Sequence, residues 1–288
     1  MKNAQARVGR LGIWSLELRF GDHGEAAEAA SELDELGYSA IWLPGGIGGD
    51  LTGDLDRLLA TTRTMTIATG ILNIWKHEPA EVAEWWHGLE QTSQQRVLLG
   101  LGVSHAHVIG DAYKKPLAAM RDYLGLLDEV GLPRQARCLA ALGPKMLELA
   151  RERTAGVHPY LITPAHTALA REAVGPDRLV APEQGVILEK DPVRAREMGR
   201  AALSHYNSYP NYRSSWQRLG FSESEIDALS DRLIDALFAW GTPEVIAERV
   251  GEHFTAGADH VCIQAITGGG VSVSAARPIW RELSKVLL

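Results

Sequence analysis

Eight times along the 288 residues a short apolar segment gives way to a helical one, and this alternation constrains the fold more than any other feature. The apolar segments cover 8–16, 39–43, 65–72, 97–103, 138–142, 157–162, 179–188 and 261–266. Runs with so little charge are those of strands buried on both faces, in a parallel sheet covered by helices. Helix starts are marked by proline at the first helical position, where its missing N–H costs nothing: Pro79, Pro116, Pro144, Pro164 and Pro192, and again Pro243. Thr163, Asp191 and Thr242 add an N-cap immediately before it. Gly37 ends a helix over 25–36 as a C′ glycine. Eight such units fit an α/β fold of the (β/α)8 TIM-barrel type better than an open doubly wound sheet, which has fewer strands, so a single domain spans 1–288.

One stretch breaks the alternation. Between the seventh and eighth strands, about 204–240 holds an aromatic-rich turn over 205–213 and a further helix from Ser222 to about Phe238. A helical insertion there is either a lid or substrate wall over the carboxyl ends of the strands or a bracket on the flank.

Composition excludes several functions. No apolar run approaches the roughly 20 residues of a membrane span. Met1 to Arg7 carries positive charge but runs into a strand without a signal-peptide core, so the cytoplasm is expected. A net charge of −7, with Lys and Arg scattered, leaves no electrostatic footprint for nucleic acid or an anionic membrane. Cys138 and Cys262 stand alone in apolar segments and read as packed, reduced thiols.

In a barrel of this kind chemistry sits at the carboxyl ends of the strands. The third strand stays apolar past its expected end, and Gly70 within it is either a barrel corner or a place where a ligand comes close. Asn73 and Trp75 follow with an amide and a flat apolar surface. Trp14, Trp42, Gly102 with Ser104 and His105, His158 with Tyr160, Glu183 with Gln184, and the glycine run from Gly268 hold similar positions. The set is rich in glycine and aromatics and poor in carboxylates, which suits a large flat cofactor. His105 and His107 lack a third ligand, so no metal is expected. Gly100 and Gly102 lack the third glycine of a dinucleotide motif. The turn at Gly143, Lys145 and Met146 leads into a helix, and is either a phosphate cradle of free N–H groups or a tight turn that needs glycine for geometry.

Residues 69–75 with Glu78-Pro79, 96–105, 115–123, 140–150 and 158–164 together resemble the luciferase-like monooxygenase superfamily, and within it the branch that uses coenzyme F420. The resemblance covers most of the chain. It implies a deazaflavin stacked over the barrel mouth, backed by a bulge after strand three that holds a non-prolyl cis peptide at Gly70-Ile71. Gly70, Ile71, Asn73, Gly102, Ser104, Gly143, Lys145 and Met146 would then hold the cofactor, and Trp14 and Trp75 the substrate. Relatives tend to carry an acid and a base after strand two, where this chain has Gly45, Gly46 and Gly49. His105, Glu183 and Tyr160 therefore compete as proton donor.

The activity implied is hydride transfer between the cofactor C5 and a small organic substrate. An FMN-dependent monooxygenase of the same superfamily and a non-catalytic barrel serving as a binding subunit are the rivals. A homodimer is expected, with the pair Trp85-Trp86 compatible with an apolar interface.

Overall fold

The apolar segments pair side by side in chain order. The computed structural model describes residues 8–46, 48–113 and 115–288. Its strands are β1 (Leu11–Trp14), β2 (Ala40–Gly45), β3 (Thr66–Asn73), β4 (Val97–Gly102), β5 (Arg137–Leu139), β6 (Gly156–Val157), β7 (Leu179–Val180), β8 (Glu183–Ile187), β9 (Phe238–Trp240) and β10 (Val261–Ala265). All pairings are parallel, in the order β7-β6-β5-β4-β3-β2-β1-β10-β8-β9.

The seventh apolar segment is interrupted at Ala181 and Pro182, since proline has no N–H for the ladder. Before the break β7 pairs with β6, and after it β8 pairs with β10. Because β7 and β8 are consecutive in the chain, the sheet curls round on itself. Its two faces carry different residues. Ile41, Leu43, Val97 and Leu99 pack outward against helices, while Ala40, Trp42, Leu98, Cys138 and Cys262 form a separate inner cluster with Trp14. Both cysteines are buried and neither is in a disulfide.

The proline rule locates the helices, with Pro79–Gly88, Pro116–Glu129, Pro144–Arg153, Pro164–Val174, Pro192–Leu203 and Pro243–Thr255 all opening on it. Thr163, Asp191 and Thr242 accept N–H bonds from the first turns they precede.

The stretch after Leu203 departs from the sequence reading. The turn expected over 205–213 is in part a helix, Pro210–Arg218, and the single helix expected over 222–238 is two, Glu223–Asp227 and Asp231–Leu237. Leu229, in the left-handed region at φ 45, ends the first, and Ser230 caps the second by accepting from the Leu233 N–H. Phe238–Trp240 then adds a strand beside β8. Trp86 is buried and Trp85 packs against the core with its indole N–H on Asp56, so this pair presents no free apolar face. Among the described residues no helix is long and apolar enough to cross a membrane.

Candidate active site

A cavity of about 610 Å³ opens at the carboxyl ends of the strands. Its floor is the third strand. There the register shifts on both sides, against β2 between Leu43 and Gly45 and against β4 between Ala68 and Leu72. The Gly70-Ile71 peptide inside this bulge is cis, at the position the family resemblance implied. Neighbours crowd it so closely that side chains are excluded. A Cβ on Gly70 would lie 2.4 Å from Trp14 Nε1 and 2.9 Å from His158 Nε2, and one on Gly102 would lie 2.6 Å from Ile71 Cγ1 and Cδ1. Gly45 is crowded in the same way, since a Cβ there would lie 2.7 Å from the Ile71 carbonyl oxygen. The loop beyond it is not left without a base. Arg19, buried below it, donates to the Pro44 and Gly48 carbonyls and pairs with Asp54.

Aromatic rings build the wall. Trp14 and Tyr160 stand 5.2 Å apart between centroids, Tyr160 and Tyr206 5.8 Å, Tyr206 and Tyr212 5.3 Å, and Tyr209 and His105 4.2 Å. The Tyr160 hydroxyl donates to Gln264 Oε1 at 2.9 Å. Burial and its tyrosine and Glu183 neighbours hold the Tyr160 phenol well above its ordinary range, so it stays protonated at neutral pH. Burial and the nearby His107 bring His105 down to about 4, so it is neutral there. Arg218 closes the opposite end, donating to the Leu142 carbonyl at 3.0 Å.

Of the candidates read from the sequence, Trp14, Gly70, Ile71, Gly102, Ser104, His105, Gly143, Met146 and Tyr160 line the cavity. Four others are placed elsewhere. Glu183 is buried behind the wall, where one carboxylate oxygen accepts the Leu161 N–H at 3.1 Å and the other has no partner. Asn73 is buried, its Oδ1 accepting the Trp75 N–H at 3.0 Å. Trp75 points its indole N–H at the Val103 carbonyl, 2.7 Å away, and packs on the core. Lys145 is exposed on the first turn of Pro144–Arg153. Nor is the expected phosphate cradle fully open, because the Met146 N–H already donates to the Gly143 carbonyl at 3.1 Å. No group of three or more His, Cys, Asp or Glu side chains placed to hold a metal occurs among the described residues.

Two parts of the site were noticed in the sequence but given no residue-level role. Tyr206, Tyr209 and Tyr212 recur every third residue, and this spacing was the available sign that they share a face. His158 stood at a strand end without a role. It is 1% exposed, stacked on Trp42 with centroids 4.1 Å apart, and donates from Nδ1 to the Ala181 carbonyl at 2.8 Å.

Comparison with known proteins agrees with this geometry. The model of the luciferase-like monooxygenase family matches residues 11–131, which run from β1 through the helix after β4. The 5,10-methylenetetrahydromethanopterin reductase of Archaeoglobus fulgidus is 22% identical over 286 residues, covering 79% of this chain and 85% of that protein. Among solved structures, an F420-dependent secondary alcohol dehydrogenase in complex with an F420-acetone adduct superposes with a TM-score of 0.71 at 14% identity, covering 96% of this chain and 99% of the other. The coenzyme F420 dependent tetrahydromethanopterin reductase of Methanopyrus kandleri superposes at 0.68 with 16% identity, covering 97% and 99%. Residues 11–131 are thus similar to the luciferase-like monooxygenase family, and the likeness of fold extends through the rest of the chain.

Proposed function

We propose that this chain is a coenzyme F420-dependent oxidoreductase of the luciferase-like class, moving a hydride between the cofactor C5 and a small organic substrate. The observation that carries the reading is the close-packed floor, where Trp14, His158 and Ile71 lie directly against Gly70 and Gly102 under a cavity walled by aromatic rings. Such a surface fits a planar ring system. When bound, the deazaflavin supplies the hydride chemistry.

The residues of this chain orient and enclose. The Gly70-Ile71 bulge and Gly102 would carry the ring face, and Ser104, Gly143 and Met146 the tail, with Arg218 beside Gly143 as the cation at that end. Trp14, bonded to the Gly70 carbonyl, belongs with this floor, and the tyrosines of the wall would exclude water from the rest of the cavity. His105 and Tyr160, both uncharged at neutral pH, are the groups of the wall that can hold a proton near the reacting atoms. Glu183, behind Tyr160, acts through that ring.

Titration of the purified protein with oxidised F420 and, separately, FMN tests this, following tryptophan fluorescence because Trp14 lines the cavity. Selective quenching by F420 is expected. Selective binding of FMN would transfer the reading to a flavin monooxygenase, and binding of neither would leave a non-catalytic barrel.

We propose further that the curled sheet is a closed (β/α)8 barrel in which β7 and β8 together form strand seven and β10 strand eight. The elements between Leu203 and β10 would then be an insertion within a single domain. The split of roles inside that stretch supports this. Pro210–Arg218 walls the cavity, while Asp231–Leu237 packs on Pro192–Leu203, where Gly199 leaves room for Ile234. Two buried cysteines outside any disulfide suit a reducing cytoplasm. A homodimer is proposed from the family resemblance, and a one-chain sedimentation mass at micromolar concentration would exclude it.

A further inference from the structure

We infer that His158 Nε2 accepts a hydrogen bond from an N–H or O–H group on a neutral ring held flat over Gly70. This deepens the proposed function and rests on it.

The imidazole is fixed on two sides. One face stacks on Trp42, 15° from parallel. Nδ1 faces the Ala181 carbonyl at 2.8 Å, and a carbonyl only accepts, so the proton of the neutral ring is on Nδ1. Nε2 is thereby an acceptor. It is buried, has no partner, and lies 2.9 Å from the point that a Cβ on Gly70 would occupy, at the cavity floor. A buried acceptor left open is uncommon, because its desolvation is not recovered.

Nearby polar groups are already engaged. The Trp14 indole N–H is on the Gly70 carbonyl, and the Tyr160 hydroxyl is on Gln264. An incoming donor at the floor therefore meets His158.

Charge narrows the class. Among the described residues that line the cavity there is no carboxylate and no lysine, and the one guanidinium, Arg218, stands at the end beside Gly143. A carboxylate carried over the bulge would be desolvated among rings without a counter-ion. A neutral ring with one donor meets both the aromatic wall and the open nitrogen. That donor is either a ring N–H of the cofactor or a hydroxyl of the substrate.

Calorimetric titration of the wild type, His158→Phe and His158→Gln with F420, 2-naphthol, naphthalene and 2-naphthoate separates the two sources. If the substrate supplies the donor, wild type prefers 2-naphthol over naphthalene and over 2-naphthoate by about tenfold, and His158→Phe loses the first preference while keeping its F420 affinity. If the cofactor supplies it, His158→Phe weakens F420 by about tenfold and leaves 2-naphthol unchanged. His158→Gln, which keeps an acceptor, retains part of either effect. Equal affinities of wild type and His158→Phe for both F420 and 2-naphthol overturn the inference and leave the proposed function standing. Should His158→Phe not fold, His158→Gln and the wild type decide. Unchanged F420 affinity in His158→Gln, together with no naphthol preference in the wild type, overturns the inference. Wild type that fails to bind F420 overturns the proposed function itself.

Discussion

The Trp14 indole N–H donates to the Gly70 carbonyl at 2.9 Å, and the Cβ of any other residue at position 70 would lie 2.4 Å from that same nitrogen. The two residues fit only while position 70 has no side chain. Gly70→Ala must displace the indole or the bulge. Overpacking of this kind costs about 1–3 kcal/mol. The expected outcome is a lowered melting temperature, unchanged far-UV circular dichroism, and F420 binding weakened by about tenfold or more. Gly102→Ala presses on the flexible end of Ile71, so its effect on binding should be smaller. Equal affinities for wild type and Gly70→Ala would remove the bulge from the binding surface.

What was legible in the sequence was local. Proline at a helix start and a cap before it act within one turn, so Thr163-Pro164, Asp191-Pro192 and Thr242-Pro243 could be placed without knowing the fold. The strands were legible because burial on both faces leaves a continuous apolar run. Which strand-end side chains enter the cavity was not legible, because the bulge in β3 resets the register that would decide it. Asn73 and Trp75 follow that bulge, and both are directed into local hydrogen bonds away from the cavity. Glu183 begins β8 just after the proline break, and the sequence could not show that its carboxylate would meet the Leu161 N–H rather than the cavity. The break in the helix over 222–238 rests on one left-handed leucine, which sequence pattern does not flag.

Glu183 gives the protein a pH dependence of a definite sign. Burial pushes its carboxyl up from 4.5 to about 8, with the Leu161 N–H partly opposing. Between these values the folded state holds a proton that the unfolded state has lost. Stability from this group is full below pH 4.5 and declines as pH rises through about 8. Glu183→Gln keeps an acceptor for Leu161 and cannot ionise. Thermal unfolding from pH 6 to 9 should show the wild type losing stability more steeply than the variant, which is the more stable of the two at pH 9. Parallel curves would mean that Glu183 does not ionise on unfolding.

Three buried histidines act in the opposite sense. Burial brings His158 and His260 down to about 4 and His253 to about 3, all from 6.5. Their stability is full above pH 6.5 and is lost as pH falls towards 4. Each proton taken up on unfolding changes stability by about 1.4 kcal/mol per pH unit, so the three together contribute about 4. Glu183, losing one proton on unfolding in part of the same range, offsets about a third of that. Maximum stability is expected near pH 6.5, with a drop in melting temperature on the acid side steeper than on the alkaline side. A plateau from pH 6.5 to 4.5 would show that these imidazoles are protonated in the folded state.

Trp216 connects the wall to the buried carboxyl. Its indole N–H donates to the Leu161 carbonyl at 3.0 Å, while the Leu161 N–H donates to Glu183. Leu161 is 3% exposed and held in the left-handed region at φ 53, a conformation uncommon for a branched side chain, so both bonds fix a backbone that would otherwise relax. The Trp216 ring also stacks under Tyr212, 26° from parallel. Trp216→Phe keeps an aromatic ring but leaves the buried Leu161 carbonyl without its donor, a loss of about 1–3 kcal/mol. Freed from that bond, residues 160–162 can shift, and Tyr160 with them. The variant should therefore melt several degrees lower and bind neutral aromatic probes several-fold more weakly. Tyr209→Phe, on the same wall with no part in the Leu161 bonds, should leave the melting temperature close to wild type. A Trp216→Phe variant as stable as wild type would show that the Leu161 conformation needs no support from this indole.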